Sequence, residues 1–221
     1  MTISSTNSVV FLMGPTASGK TELALEMYNQ LDASLISVDS ALIYRGMDIG
    51  TAKPSKVTLE NYPHALIDIC EPDESFSVNQ FVSLAKQHIE SALNAGKLPI
   101  LVGGTSFYFN ALEHGLSKLP ESTKDSRKYF NDRLKNQGSE KLHSQLLKID
   151  QKSATRIHPN DSQRVTRALE VFHLSGVTLT ELQGNKNENK LNHEIKKIIL
   201  MPERSELHQR IEKRFIEMIK D

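Results

Sequence analysis

Short apolar runs alternate with helical patterns over the first half of the chain. Four runs have the length and aliphatic composition of buried strands, namely 9–13, 35–38, 65–69 and 98–102. Between the last two runs, apolar residues at helical spacing predict a helix that Ser77 caps and that ends at Gly96. Its apolar face consists of Val78, Phe81, Val82, Ala85 and Ile89. Strands that alternate with helices predict an α/β fold, a mostly parallel sheet flanked by helices.

The pattern changes after Gly115, because residues 122–175 are helical, polar and basic throughout, without a strand candidate. Asp161 is the predicted cap of a helix that ends before Gly176. The apolar face of that helix consists of Val165, Ala168, Leu169 and Phe172. A polar segment at 184–194 predicts a mobile loop.

The strand pattern returns at 195–201, and Ser205 predicts the cap of a last amphipathic helix. We therefore expect an α/β core that is interrupted by an all-helical insertion. The expected division is 1–116 for the first part of the core, 117–193 for the insertion and 194–221 for the continuation of the core. Because no stop signal follows the last helix pattern, we expect further structure after Asp221.

Composition narrows the class of protein. With 221 residues, 38% of them hydrophobic and 24% charged, the chain is long and apolar enough to bury one sizeable core. No apolar run approaches the ~20 residues that a membrane span needs. The first five residues lack the basic start of a secretory signal, and the single Cys70 cannot form an internal disulfide. We expect a cytoplasmic protein without a membrane partner.

The net charge of zero conceals an asymmetry between the two halves of the chain. Residues 1–117 hold 6 basic and 12 acidic residues, whereas residues 118–221 hold 21 basic and 15 acidic ones. Within the second half, residues 118–175 hold 12 basic and 7 acidic residues. A basic half is typical of a polyanion-binding protein, although a solvated basic helix surface gives the same count.

A phosphate-binding motif follows the first strand. Residues 14–21, which we call the phosphate loop, match G-x-x-x-x-G-K-[ST] at every fixed position and open a helix. The loop consists of Gly14, Pro15, Thr16, Ala17, Ser18, Gly19, Lys20 and Thr21. Its backbone N–H groups can surround a phosphate, Lys20 can reach phosphate oxygens and the Thr21 hydroxyl can bind Mg²⁺. The motif predicts a bound di- or triphosphate, ATP among the nucleotides of that class.

Asp39 follows the second strand, and the carboxyl ends of parallel strands meet at one edge of a sheet. A carboxylate there suits a base for an incoming nucleophile, although it could instead cap the turn that follows. The strand at 98–102 ends in glycines and carries no acid that could order a hydrolytic water. Group transfer to an acceptor is therefore favoured over hydrolysis.

Basic side chains occur in two further patterns. Gln163, Arg164 and Arg167 lie off the apolar face of a predicted helix, where they could bind phosphate or a base edge or could be ordinary surface residues. Arg210 and Arg214 lie one turn apart on the last helix and could reach a pyrophosphate or decorate the surface. The spacing of His64, His158 and Cys70 indicates no metal or catalytic site, and we interpret these residues as structural.

The chain resembles the tRNA dimethylallyltransferases, which prenylate the adenosine beside the anticodon. The similar stretches cover nearly the whole chain in the order of the family: 14–21, 36–55, 62–69, 101–112, 156–171 and 208–215. The resemblance implies a P-loop NTPase-like core with a helical insertion. It also implies transfer of a dimethylallyl group from dimethylallyl diphosphate to N6 of adenosine-37, with release of diphosphate. Members of the family continue for roughly another third of this length, which agrees with the expected continuation after Asp221.

By position, the resemblance implies that the phosphate loop holds the diphosphate, with Mg²⁺ on Thr21. Asp39 accepts a hydrogen bond from the attacking amine, Thr105 lines the channel and Arg214 assists the leaving pyrophosphate. The implied tRNA contacts are Asp39, Ser40, Ala41, Leu42, Thr105, Arg127, Gln163, Arg164, Val165, Thr166 and Arg167.

We expect a monomer. Two other enzyme classes would use a similar core. A nucleoside or small-molecule kinase would use the phosphate loop and Asp39 to transfer phosphate. An isopentenyltransferase that acts on free adenine nucleotide would need no basic insertion. The basic second half of the chain favours tRNA over both alternatives.

Overall fold

The computed structural model describes residues 7–184 and 190–220, which form two compact units. The α/β unit contains the described residues up to Gly115 and those from 190 onward. The helical unit contains the described residues from Leu116 to Gly184. The first boundary thus falls one residue before the sequence-based boundary after residue 116. The predicted mobile loop at 184–194 lies partly outside the described residues, since 185–189 are not described.

The α/β unit is a parallel five-stranded sheet with flanking helices, as the sequence predicts. Its elements are β1 (Ser8–Met13), α1 (Lys20–Gln30), β2 (Ala33–Val38), α2 (Lys56–Asn61), β3 (His64–Ala65), α3 (Val78–Asn94), β4 (Leu98–Gly103), α4 (Ser106–His114), β5 (Glu194–Ile199) and α10 (Arg204–Lys220). The strand order is β3-β2-β4-β1-β5, and every pair is parallel. This sheet, with a loop and helix after β1, is the predicted P-loop NTPase-like arrangement.

The three central strands are buried because their residues are apolar on both faces. Val10 of β1 pairs with Ile100 of β4, and Ile36 of β2 pairs with Leu101 of β4. Ala24 of α1 packs in the core cluster on one face of the sheet. The carboxyl ends of β1, β2 and β4 therefore share one edge, and the residues that follow each strand are brought together there.

The predicted strand at 65–69 is wrong beyond its first residue. The structure has only the two-residue β3, and the backbone then turns through left-handed conformations at Leu66 (φ +66°) and Asp68 (φ +54°). The amides of Asp68 and Ile69 donate to the carbonyls of Leu42 and Ile43 at 3.1 and 2.8 Å. The apolar residues here pack a turn against the segment after β2 rather than extend the sheet.

The helix signals were mostly correct. Ser77 and Gln80 form a capping box at α3, and Gly96, at φ +74°, follows its end. The prediction for Ser205 is wrong, because α10 begins at Arg204. The last strand ends at Ile199, two residues earlier than predicted. None of the described helices is long and apolar enough to cross a membrane.

The helical unit has its own hydrophobic core. Its helices are α5 (Lys124–Gln137), α6 (Ser139–Ile149), α7 (Gln151–Arg156), α8 (Ser162–Ser175) and α9 (Leu179–Gly184). They surround fully buried side chains that include Leu142, Val165 and Val171. The predicted cap of α8 is confirmed, since Asp161 accepts from the amide of Arg164 at 3.1 Å. Gly176 follows α8 at φ +70°, a conformation that favours glycine.

Candidate active site

The phosphate loop joins β1 to α1 and presents unpaired backbone donors. Gly19 precedes α1 at φ +91°, and no side chain caps this helix. The first N–H groups of α1 and its positive dipole end therefore stay available for an anion. A side chain at Gly14 would lie 2.6 Å from the carbonyl oxygen of Leu200, so this position requires glycine. Ala17 adopts φ +62° within the loop, a strained conformation typical of a binding site.

The Lys20 ammonium bends back over the phosphate loop. Its Nζ donates to the Pro15 carbonyl at 2.6 Å and to the Ser18 hydroxyl at 3.4 Å. Burial lowers the pKa of Lys20, and the positive charge of Arg214 lowers it further, whereas the carboxylates of Asp39 and Glu22 act in the opposite direction. A bound anion would relieve both unfavourable effects on this ammonium.

Asp39 lies at the end of β2 and uses one carboxylate oxygen for its own turn. Its Oδ1 accepts from the amides of Ala41 at 2.8 Å and Leu42 at 3.3 Å. Its Oδ2 receives no hydrogen bond from any residue that the structure describes. The two readings of the sequence are therefore compatible, because the same side chain caps a turn and offers a free acceptor.

Thr105, for which the resemblance implies a position lining the channel, supports the turn after β2. Its Oγ1 accepts from the Ser40 amide at 3.2 Å, and its own amide donates to the Val38 carbonyl at 3.3 Å. It is not among the described residues that line the cavity below. A Cβ atom at Gly103 would lie 2.0 Å from the Val38 carbonyl oxygen, so glycine permits this close approach of β4 to β2.

These segments enclose a cavity of about 540 Å³, which we call the cleft. Its lining includes Thr16 to Thr21 of the phosphate loop, together with Asp39, Leu42, Arg210 and Arg214. Gly14, Pro15, Ser40 and Ala41 are not among the lining residues. Three cationic side chains, Lys20, Arg210 and Arg214, and a helix amino terminus thus line the same space as Asp39, whose Oδ2 has no partner among the described residues. That combination suits a diphosphate beside a nucleophile that must lose a proton.

The two arginines of α10 enter the cleft with different partners. Arg214 donates to the carbonyl of Thr51 at 3.4 Å, and its charge is close enough to affect Lys20. Arg210 forms an ion pair with Glu206 of the same helix at 2.6 Å. Both arginines line the cleft, so they are placed where they could reach a pyrophosphate, and that role stays a prediction.

The sequence did not reveal the opposite wall of the cleft. It includes Thr51, Ala52, Pro54, His64 and Ile67, and Ser37 of β2 also lines the cleft. Ala52 has φ +51°, and Ile67 lies between the two left-handed residues of the turn after β3. Left-handed backbone at Ala52, Leu66 and Asp68 marks this part of the cleft, but such a conformation cannot be recognised in a sequence when the residue is not glycine. Burial lowers the pKa of His64, whose Nδ1 lies 2.7 Å from the Tyr62 carbonyl oxygen.

A buried lysine holds that wall in place. The Lys53 side chain is 3% exposed, and its ammonium meets Asp68 at 2.5 Å, Asp48 at 2.8 Å and the Tyr44 carbonyl oxygen at 2.7 Å. Burial alone would lower the pKa of Lys53, but the two aspartates outweigh it and raise the pKa. Lys53 therefore stays charged and connects the segment after β2 to the turn after β3.

The arginines and their neighbours on α8 have unequal exposure. Gln163 and Arg164 are exposed, and Arg164 forms only a 3.4 Å ion pair with Asp161. Val165 is fully buried in the core of the helical unit, so the predicted tRNA contact of its side chain is wrong. The Thr166 hydroxyl donates to the Ser162 carbonyl at 2.7 Å. Arg127 on α5 is exposed.

Arg167 is committed to contacts inside the helical unit. Its guanidinium donates to Glu170 at 2.7 Å, to the Ser122 hydroxyl at 2.7 Å and to the Pro120 carbonyl at 2.7 Å. Ser126 also donates to Glu170, at 2.5 Å. Burial on its own would raise the pKa of Glu170, but these hydrogen bonds outweigh it and lower the pKa. The sequence could not distinguish this structural arginine from its exposed neighbour Arg164.

The described side chains do not by themselves form a complete metal-binding site. No group of three or more His, Cys, Asp or Glu side chains that could bind a metal occurs among residues 7–184 and 190–220. The cleft does hold oxygen atoms of the kind that Mg²⁺ prefers, since Thr21 and Asp39 line it. Mg²⁺ usually takes one or two protein ligands and completes its shell with phosphate and water. The donor set therefore fits Mg²⁺ that arrives with a diphosphate.

Comparison with protein families and curated sequences gives consistent matches. A model of the IPP transferase family matches residues 42–221. The tRNA dimethylallyltransferase of Ruthia magnifica subsp. Calyptogena magnifica is 63% identical over 219 residues, which cover 99% of this chain and 72% of that protein. The tRNA dimethylallyltransferase of Vesicomyosocius okutanii subsp. Calyptogena okutanii is 59% identical over 221 residues, which cover 100% of this chain and 72% of that protein.

Solved structures give matches of the same kind. The tRNA delta(2)-isopentenylpyrophosphate transferase of Staphylococcus epidermidis has 35% identity and a TM-score of 0.61, covering 97% of this chain and 70% of that chain. A eukaryotic dimethylallyltransferase acting on tRNA has 27% identity and a TM-score of 0.77, covering 97% of this chain and 53% of that chain. The similarity therefore extends over the α/β unit and the helical unit.

Proposed function

The chain belongs to the IPP transferase family, and we propose that it prenylates tRNA with dimethylallyl diphosphate as the donor. The acceptor atom in this proposal is N6 of adenosine-37, the adenosine 3′ of the anticodon. The observation that carries the proposal is the cleft, where a phosphate-binding loop faces the Asp39 carboxylate, one oxygen of which has no partner among the described residues. An enzyme that transfers an alkyl group from a diphosphate ester to an amine needs a phosphate-binding group and a proton acceptor in one space.

In this proposal, the donor diphosphate binds the phosphate loop at the start of α1. The uncapped N–H groups of the helix and the Lys20 ammonium hold its oxygens. Arg214, and Arg210 beside it, add positive charge on the other side of the cleft. These contacts stabilise the diphosphate most when it carries the charge of a leaving group, so they favour the transition state over the bound ester.

The transfer step makes one bond and breaks another. The N6 nitrogen forms a bond to the first carbon of the dimethylallyl group, and the bond from that carbon to the diphosphate oxygen breaks with its electron pair on the oxygen. N6 then carries an extra proton, which Asp39 Oδ2 accepts. Asp39 Oδ1 keeps its hydrogen bonds to the turn and so holds the carboxylate in orientation. The target base must leave its stack to reach the cleft.

Mg²⁺ is the proposed cofactor, and Thr21, which lines the cleft, is the residue that would hold it. When bound, it supplies positive charge to the diphosphate oxygens. ATP binding at the same loop stays a prediction.

The helical unit supplies tRNA affinity in this proposal. Exposed Arg127, Gln163 and Arg164 are the side chains that it offers, whereas Arg167 acts by holding the start of this unit together. Phosphate contacts of this kind give affinity that falls with salt concentration. We also propose that the protein is a monomer and that it acts in the cytoplasm.

Transfer from labelled dimethylallyl diphosphate to one acceptor at a time tests the proposal. The acceptors are tRNA with adenosine-37, the same tRNA with guanosine-37, AMP and ATP. We expect label only in the first, recovered as an N6-modified adenosine after nuclease digestion. Label in AMP or ATP would instead indicate an enzyme for free nucleotide. Phosphate transfer from ATP to a nucleoside in a parallel reaction would indicate a kinase.

A further inference from the structure

Ser37 carries a buried hydroxyl that the fold does not use. The residue is 3% exposed, and its Oγ has no hydrogen-bond partner among the residues that the structure describes. Most buried side-chain polar atoms in proteins have a partner, so an orphan hydroxyl requires an explanation. Here the hydroxyl also borders the cleft, since Ser37 is one of its lining residues.

The position of Ser37 in the sheet points its side chain towards the phosphate loop. Side chains alternate along β2, so Ser37 shares a face with Leu35 and with Asp39 beyond the end of the strand. Leu35 packs on that face with Ala24 of α1, the helix that begins at the phosphate loop. Ser37 therefore lies on the α1 side of the sheet, one pleat deeper in the cleft than Asp39.

Two ligands could meet a hydroxyl at this depth: a diphosphate oxygen or a water molecule on Mg²⁺. The diphosphate already has the N–H groups of α1, Lys20 and the arginines of α10 as donors. Water on Mg²⁺ needs acceptors instead. One oxygen of Asp39 is engaged by its own turn, and the described residues hold no group of three or more His, Cys, Asp or Glu side chains that could bind a metal. A serine oxygen can accept such a hydrogen bond.

We propose that Ser37 Oγ accepts a hydrogen bond from a water molecule coordinated to Mg²⁺ and so positions the metal that Thr21 holds. This inference rests on the proposed function, in which Mg²⁺ accompanies the diphosphate. Ser37 is a positioning residue, because it acts on the metal through water. This role explains why the buried Ser37 hydroxyl, which borders the cleft, has no hydrogen-bond partner among the described residues.

Calorimetric titration of inorganic pyrophosphate into the full chain, with and without Mg²⁺, tests this role. For Ser37→Ala we expect unchanged pyrophosphate affinity without metal. The Mg²⁺ concentration that gives half-maximal enhancement should rise by about tenfold. Ser34→Ala is the matched control, since it removes a hydroxyl from the other end of β2. The melting temperature of Ser37→Ala without ligand should not fall, because the lost hydroxyl has no hydrogen-bond partner in the part of the chain that the structure describes.

The outcomes separate the inference from the proposed function. A loss of metal-free pyrophosphate affinity in Ser37→Ala would mean that the hydroxyl contacts the diphosphate directly, which overturns the inference. Unchanged Mg²⁺ dependence in the variant would also overturn it. If the wild type itself showed no Mg²⁺ dependence, the metal in the proposed function would be wrong, and the inference would fall with it. Pyrophosphate that did not bind even the wild type would contradict the phosphate loop assignment.

Discussion

The cleft of the α/β unit and the polar network of the helical unit differ in how far their polar side chains are hydrogen-bonded within the protein. In the helical unit, Glu170 receives hydrogen bonds from Ser122, Ser126 and Arg167. In the cleft, Ser37 Oγ and Asp39 Oδ2 receive none from the described residues, and Lys20 binds its own loop. Buried polar groups with partners hold a fold together, whereas those without partners carry a cost that a ligand can relieve.

This difference assigns separate tasks to side chains that look alike in the sequence. In the sequence, Arg167 and Arg214 both resemble phosphate ligands. In the structure, Arg167 is hydrogen-bonded within the helical unit, whereas Arg214 lines the cleft with the phosphate loop. The comparison predicts that charge removal in the cleft affects chemistry with little effect on stability. The same change in the network of the helical unit affects stability first.

The largest effect is expected for Asp39→Asn. The substitution keeps the shape of the side chain but removes the proton acceptor, so kcat should fall roughly 10²–10⁴-fold. Diphosphate affinity should hardly change, because the phosphate loop is intact. Steady-state kinetics and pyrophosphate titration measure the two quantities, and Asp32→Asn is the control at the other end of β2. Weaker diphosphate binding with an unchanged single-turnover rate would make Asp39 a ligand of the metal instead.

Lys20→Ala comes next and should reduce transfer about 10²–10³-fold, through loss of charge stabilisation on the leaving diphosphate. The melting temperature should stay near that of the wild type, because the hydrogen bonds of the Lys20 ammonium to described residues lie within its own loop. Lys56→Ala, at an exposed lysine outside the cleft, is the control. Transfer at a near wild-type rate would contradict the phosphate loop assignment.

The lowered pKa of Lys20 adds a pH dependence to the same assignment. The free ammonium loses its proton at a lower pH than ordinary lysine does, and a bound diphosphate raises that pKa again. Diphosphate affinity should therefore fall as pH rises through the pKa of the free enzyme, more steeply than in Lys20→Arg, which keeps its charge. Parallel alkaline profiles for the wild type and Lys20→Arg would place the titrating group elsewhere.

In the helical unit, Glu170→Gln should lower the free energy of unfolding by about 1–3 kcal/mol at neutral pH. The lowered pKa of Glu170 means that its carboxylate stabilises the fold above the ordinary pKa of glutamate. This contribution is lost as pH falls through the folded-state pKa, so the wild type and the variant should converge in acid. Urea unfolding across pH measures it, with Glu121→Gln as the exposed control. A constant difference across the whole range would contradict the charged network.

The smallest effect is expected for the exposed arginines of the helical unit. Arg127→Ala and Arg164→Ala should each weaken tRNA binding by a few fold and flatten its log–log salt slope by about one unit, if each neutralises one phosphate. The melting temperature should not change. Salt-titrated binding measures the slope, and Lys152→Ala provides an exposed basic control. Affinity and slope equal to those of the wild type would mean that Arg127 and Arg164 are ordinary surface residues that do not contact tRNA.

Local signals explain what the sequence could predict. The strand–loop–helix at the phosphate loop, the Ser77 cap and the Asp161 cap depend on neighbours within a few residues, and all appear in the structure. The turn after β3 depends instead on the left-handed backbone of Leu66 and on contacts with the segment after β2. An apolar run gives no sign of either, so the sequence predicted a strand there.

The candidate site divides in the same way. The phosphate loop and Asp39 could be found because motif and strand end are local features. The positions of Lys53 and Arg167 could not, because their partners are up to 47 residues away in the chain. Ser37 could not be found in the sequence either, because what distinguishes it is a buried hydroxyl without a hydrogen-bond partner among the described residues.

The single-turnover rate of prenyl transfer to tRNA, with donor and tRNA both saturating, tests the separation of tasks most directly. We expect Asp39→Asn to stay slow at saturation, whereas the double variant Arg127→Ala with Arg164→Ala should reach the wild-type rate once enough tRNA is present. A wild-type saturating rate in Asp39→Asn, or a lasting deficit in the double variant at full tRNA occupancy, would contradict the assignment of chemistry to the cleft and of affinity to the helical unit.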